Sequence, residues 1–226
     1  MHATGFPWRL KTLQCDHSLR AADKKGKPVK IYGDVQSGNC YKIKLLCSLL
    51  GIEHEWVHID ILAGDTRADE FLAKNPAGKI PLLELDDGRC LSESNAILNY
   101  LAHGSELLPA DPFALAKVQQ WQFFEQYSHE PYIAVARFIA KYLGLPEERK
   151  QEYEAKQAGG QKALAVMEKQ LAMSAYLVGD SLSTADISLY AYTHVAHEGG
   201  FDLGRYPAIL SWIERIGKHP NHVDML

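Results

Sequence analysis

The 226-residue chain has no apolar run approaching the roughly 20 residues that cross a bilayer. Its four cysteines, Cys15, Cys40, Cys47 and Cys90, form no C-x-x-C pair and no Cys/His zinc spacing. The first residues, Met1–Lys27, are basic and polar and lack the apolar core of a secretion signal. The expectation is therefore a soluble, cytoplasmic protein with reduced thiols, no metal site and no membrane partner. A basic surplus is missing too: 24 Lys and Arg stand against 28 Asp and Glu, a net charge of −4, which argues against nucleic acid as a partner. What is present is ordinary globular chemistry, 46% hydrophobic and 23% charged, enough for one large domain or two small ones.

Residues 1–28 show no sustained periodicity and end in the cluster Lys24-Lys25-Gly26-Lys27-Pro28, so they are read as an N-terminal extension outside the fold. Val29–Tyr32 alternates as a strand and Gly33-Asp34 closes it. Ser37-Gly38-Asn39 opens a helix with an apolar stripe at Cys40, Ile43, Leu46, Cys47 and Leu50, stopped by Gly51. Glu55–Ile59 is a second strand, and a strand–helix–strand order implies parallel pairing. A short helix over Thr66–Leu72 follows, then the runs Ile80–Leu85 and Arg89–Leu91 around Asp86-Asp87-Gly88, a hairpin signal. Ser94–Leu101 is helical.

This βαβ–α–ββα order over residues 29–106 predicts an α/β, thioredoxin-like domain. Residues 107–112 form a proline-punctuated linker, and residues 113–226 read as an all-helical domain with helices over Phe113–Tyr142, Glu147–Ala175, Ser183–Ala196 and Tyr206–Gly217.

Three segments of the first domain carry candidate chemistry. Ser37-Gly38-Asn39-Cys40 stands at a strand-to-helix turn, where free amides and the helix dipole favour an anion and a hydroxyl can donate to a thiolate; Ser37 as a plain N-cap is the alternative. Asn75-Pro76-Ala77-Gly78-Lys79-Ile80-Pro81 places a candidate cis proline before a strand, with the Ile80 backbone free to pair an extended ligand, or else an ordinary edge proline. Ser92-Glu93-Ser94 opens a helix, where a carboxylate and a hydroxyl can hold the two charged ends of an amino acid, or Ser92 simply caps.

The three segments in this order, followed by Ser183-Thr184-Ala185-Asp186, closely resemble the glutathione S-transferase family from Val29 to Pro220. The resemblance implies a thioredoxin-like domain joined to a helical bundle, glutathione as co-substrate with no tightly bound cofactor, and a small hydrophobic electrophile as second substrate. It implies detoxification and a homodimer formed around the helix opened by Ser94 and residues Phe113–Tyr127. Ser37 takes the place of the serine in theta-like members, Cys40 that of the beta-class cysteine, and Asn39 is a third candidate donor; Tyr32 comes five residues before Ser37, too early for the tyrosine role. Lys79, Ile80, Pro81, Glu93 and Ser94 correspond to glutathione contacts. Ser183 and Asp186 correspond to a folding motif, a capping box.

Tyr127, Tyr132 and Phe138 are candidates to line the second pocket, and Arg137 to meet an anionic electrophile. The alternatives on this scaffold are a glutathione-dependent thiol transferase, reductase or isomerase using Cys40, and a non-catalytic binding or regulatory protein.

Overall fold

The computed structural model describes residues 28–225; the expected extension lies outside them apart from Pro28. Strands β1 (Val29–Gly33) and β2 (His54–His58) pair in parallel, from Val29 opposite His54 to Gly33 opposite His58. Helix α1 (Gly38–Leu50) forms the crossover and stops at Gly51, whose φ of 64° is the left-handed cap that glycine supplies without a steric penalty. β3 (Leu82–Glu84) runs antiparallel to β1, with Leu83 opposite Ile31, and β4 (Cys90–Ser92) runs antiparallel to β3. The sheet order is β2-β1-β3-β4. This is the thioredoxin-like arrangement, completed by α2 (Asp69–Lys74) and α3 (Ser94–Leu101).

The helix expected over Thr66–Leu72 is instead a 3₁₀ turn, Asp65–Arg67, followed by α2, because Ala68 between them is extended at ψ 141°. α1 is buried on more than the expected stripe. Tyr41, Lys42, Leu45 and Leu49 join Cys40, Ile43, Leu46 and Cys47 in the interior, while Leu50 is half-buried. The reason is tertiary: α1 lies between α3 of its own domain and a helix of the second domain. Each of Ile43, Leu45 and Leu46, fully buried here, contributes roughly 1.5–3 kcal/mol.

The second domain begins with α4 (Pro112–Phe124), capped by Asp111, whose Oδ2 accepts the Ala114 N–H at 2.8 Å. The helical path expected to Tyr142 is continuous but passes through two wide π-turns, Glu125–His129 and Phe138–Tyr142, on either side of α5 (Glu130–Arg137). Pro131 accounts for the first, since it has no N–H to offer the preceding turn. α6 (Lys150–Leu171), α7 (Thr184–Thr193) and α8 (Pro207–Gly217) follow. α7 is the buried axis of this domain, and every one of its residues is inside.

Asp186 organises the start of α7 as the capping motif predicts. Its carboxylate accepts the Ser183 N–H at 3.0 Å and the Ser183 Oγ at 2.8 Å. It also accepts the Leu177 N–H at 2.9 Å and Trp212 Nε1 at 3.0 Å. Burial raises the Asp186 pKa, and these donors work against that rise. Among the described residues no helix is long and apolar enough to cross a membrane.

Candidate active site

The turn from β1 to α1 is built by Asp34. Its carboxylate accepts the Gln36 N–H at 2.8 Å and its carbonyl accepts the Ser37 N–H at 3.1 Å. Ser37 is the N-cap of α1, and its Oγ accepts the Cys40 N–H at 3.4 Å. A hydroxyl that accepts through a lone pair still has its proton to donate. Ser37 borders a cleft of about 80 Å³ whose other walls are Ile61 and Ile80 from the first domain and Ala134, Arg137, Phe138, Tyr142 and Tyr192 from the second. A larger open depression, about 430 Å³, lies at the far end of α1 around Cys47, Gly51 and His54, away from Ser37.

Gly38, next to Ser37, allows the two domains to meet: a Cβ there would stand 2.5 Å from the Tyr192 ring. The Tyr192 hydroxyl in turn accepts the Asn39 N–H at 3.3 Å. The Asn39 side chain turns toward the interior, where its Oδ1 accepts from Ser94 Oγ at 3.2 Å. Tyr32 is occupied on the sheet, donating to Glu84 Oε2 at 2.6 Å.

Cys40 does not reach the cleft. Its side chain is fully buried, and burial pushes its thiol up to about 12, so it stays protonated throughout the physiological range. Its burial matches a small core side chain and weighs against the thiol-based alternative at Cys40.

The Asn75–Pro81 loop is stitched by Asn75, whose Nδ2 donates to the Lys79 carbonyl at 2.7 Å and whose Oδ1 accepts the Ala77 N–H at 3.2 Å. The Ile80–Pro81 peptide is cis. Ile80 reaches the cleft just before the β3 ladder begins at Leu82, and the Lys79 side chain is exposed beside it. At the start of α3, Glu93 holds φ 69°, a left-handed backbone that costs a non-glycine residue about 1 kcal/mol or more and that concentrates at ligand clamps. Its side chain is exposed, while Ser94 is buried.

Several residues have a different place from the one their types suggest. Arg137 is buried; its Nε donates to Glu198 Oε2 at 2.6 Å and its Nη1 to the Gln36 carbonyl at 2.8 Å. Through those two bonds it clamps the turn before Ser37. Burial alone would raise the Glu198 pKa, but hydrogen bonds from Lys141 and Arg137 hold it below the usual carboxylate range. Of the aromatic candidates, Phe138 lines the cleft. Tyr127 is 86% exposed and is not part of the cleft wall, and the Tyr132 ring lies against Gly159 of α6.

The pattern of the family described as Glutathione S-transferase, N-terminal domain, matches residues 27–103, and that of the C-terminal domain matches residues 121–220. Glutathione S-transferase 3 of Zea mays is 32% identical over 205 residues, covering 85% of this chain and 90% of the relative. The chain belongs to the glutathione S-transferase family. A crystal structure of a glutathione S-transferase from Pseudomonas fluorescens is 64% identical, with a TM-score of 0.87 over 88% of this chain and 100% of that one. A maleylacetoacetate isomerase from Methylobacterium extorquens AM1, solved with malonate and glutathione bound, is 29% identical, with a TM-score of 0.72 over 85% and 93% of the two chains.

Two features of this glutathione S-transferase family member lie beyond the expected residues: Tyr142 and Tyr192 in the cleft wall, and a buried ion pair, Lys42 Nζ to Glu125 Oε1 at 2.9 Å, with both side chains fully inside. A signal for the pair does exist. Lys42 precedes Leu46 and Leu49 at helical spacing, and Glu125 continues the Val118-Trp121 stripe, so each charge interrupts an apolar face.

Proposed function

We propose that this member of the family is a glutathione transferase in which the Ser37 hydroxyl donates a hydrogen bond to the thiolate of bound glutathione. The observation that carries the reading is the position of Ser37: N-cap of α1, on a cleft shared by Ile80 and the aromatic wall that the second domain supplies. A free thiol titrates at about 8.5, and lowering it by two units requires about 2.7 kcal/mol of preferential thiolate stabilisation. A charge-assisted hydrogen bond and the positive end of α1 are adequate to that amount.

The Ile80 backbone pairs the cysteinyl part of glutathione before Pro81, Lys79 offers its ammonium to the glycyl carboxylate, and Glu93 with Ser94 receives the γ-glutamyl end. These contacts belong to residues 29–106, and the electrophile rests against residues 113–226 across the 107–112 linker. In the reaction the thiol releases its proton, sulfur bonds to the electrophilic carbon, and the leaving group departs. The rings of Phe138, Tyr142 and Tyr192 on the cleft wall favour a hydrophobic electrophile. Buried Cys40 weighs against the thiol transferase alternative.

The reading includes a cytoplasmic detoxification role and a homodimer. Phe113, Phe123 and Tyr127 lie exposed at helical spacing along α4 and the turn after it, with Tyr100 exposed on α3, an apolar surface of the kind a second copy covers.

The test is calorimetric titration of glutathione into wild type and Ser37→Ala, with turnover of a generic aryl halide. Both proteins are expected to bind, with turnover falling roughly 10²- to 10³-fold in the variant, the usual effect of deleting one donor to a developing anion. Absence of glutathione binding in wild type, or full turnover in Ser37→Ala, would overturn the reading.

A further inference from the structure

Lys42 and Glu125 come from different domains, are both fully buried, and lie outside the walls of the cleft. Such a pair adds little net stability, because desolvation offsets the attraction. Its other contacts are more informative. Lys42 Nζ also donates to Ser94 Oγ at 3.1 Å, and Ser94 Oγ donates to Asn39 Oδ1 at 3.2 Å. Glu125 Oε2 accepts from Asn95 Nδ2 at 3.0 Å and from Gln126 Nε2 at 2.8 Å. Asn95 Oδ1 accepts from Ser188 Oγ of α7 at 2.6 Å. One ion pair thus holds the first two residues of α3, directly after the left-handed Glu93.

We infer that Lys42 and Glu125 are positioning residues for glutathione, through which the helical domain sets the shape of the γ-glutamyl receptor at Glu93 and Ser94. The inference rests on the proposed role of Glu93 and Ser94 in glutathione binding. The ammonium of Lys42 occupies the acceptor side of Ser94 Oγ, so the hydroxyl proton points away from it, toward Asn39. An arriving carboxylate takes over as acceptor from Asn39 Oδ1 and meets an O–H already polarised by a charge-assisted bond. Glu125 fixes Asn95 from the opposite side, which keeps the first turn of α3 and its amides in place. The π-turn that starts at Glu125 aims this carboxylate at α1 and α3.

Single substitutions strand a buried charge and threaten folding, so the main variant removes both, Lys42→Met with Glu125→Leu, a replacement that is often neutral for stability. Thermal melting, glutathione calorimetry and aryl-halide kinetics are measured on it, on Ser94→Ala and on the combination. The paired variant is expected to fold, to bind glutathione about tenfold more weakly and to raise KM for glutathione by the same factor, with a smaller fall in kcat. Its loss should not add to that of Ser94→Ala, because both act through one hydroxyl.

Wild-type affinity in the folded paired variant, or strictly additive losses, would overturn the inference while leaving the transferase reading intact. Failure of wild type to bind glutathione would overturn both. If the paired variant does not fold, Asn95→Ala, which cuts the link from Glu125 to α3 and leaves the ion pair in place, carries the test: threefold or greater weakening of glutathione binding supports the inference, and unchanged binding overturns it.

Discussion

Arg137 of α5 donates its Nη1 to the carbonyl of Gln36 at 2.8 Å, so a helical-domain side chain holds the peptide immediately before Ser37. The guanidinium is itself fixed by Glu198, which also pairs with Lys141 at 3.0 Å. The hydroxyl proposed to stabilise the thiolate is therefore positioned from both domains.

Arg137→Ala should lower kcat/KM for aryl-halide conjugation roughly ten- to a hundredfold and destabilise the fold by about 3 kcal/mol, the scale for breaking a buried pair. Arg137→Lys should recover little, because an ammonium cannot reproduce two directed bonds from one planar fork. Steady-state kinetics and urea unfolding check both expectations.

Cys40→Ala should retain conjugation activity, since the sulfur is buried and outside the cleft. The loss should be one of packing only, about 1 kcal/mol. Complete loss of turnover in a folded Cys40→Ala protein would return the thiol to the mechanism.

Acid stability should depend on buried imidazoles. Burial pushes His129 down to about 4, and His194 likewise to about 4. Unfolding frees each ring to take a proton near its ordinary value of about 6.5. The unfolded state thus binds more protons as pH falls, and stability should be full above about 6.5 and decline from there toward 4. For His129, whose Nε2 lies 2.9 Å from Thr193 Oγ1, the loss is on the order of 3 kcal/mol. Urea midpoints across pH 4–7 should show the decline, and His129→Asn should make it about half as steep, the His194 share remaining.

Replacing Phe123 and Tyr127 together by lysine should leave the monomer folded, since both side chains are already exposed, and should weaken self-association. Sedimentation of both proteins checks this: a wild-type dimer and a dissociated variant are expected. A monomeric wild type would remove the homodimer from the proposed function.

Much of the architecture was legible because its signals are local. The stop at Gly51, the hairpin at Asp86–Gly88 and the reach of Asp186 back to Ser183 depend on residues within a few positions of one another. Ser37 at its cap belongs with them, while the segment before Pro81 leaves cis and trans both open and the fold holds it cis.

What the tertiary structure alone decided is which faces meet. Lys42 and Glu125 each interrupt an apolar stripe, but only packing of α1 against the helical domain brings the two charges together. Arg137 has the chemistry of an anion receptor, and only the fold commits two of its donors to the Gln36 carbonyl and Glu198. Cys40 has the sequence position of a nucleophile, and complete burial leaves it an uncharged core thiol. Charge and hydrogen-bonding capacity are written in the residue type; whether they act on a ligand or on the fold depends on desolvation and on partners that arrive from distant parts of the chain.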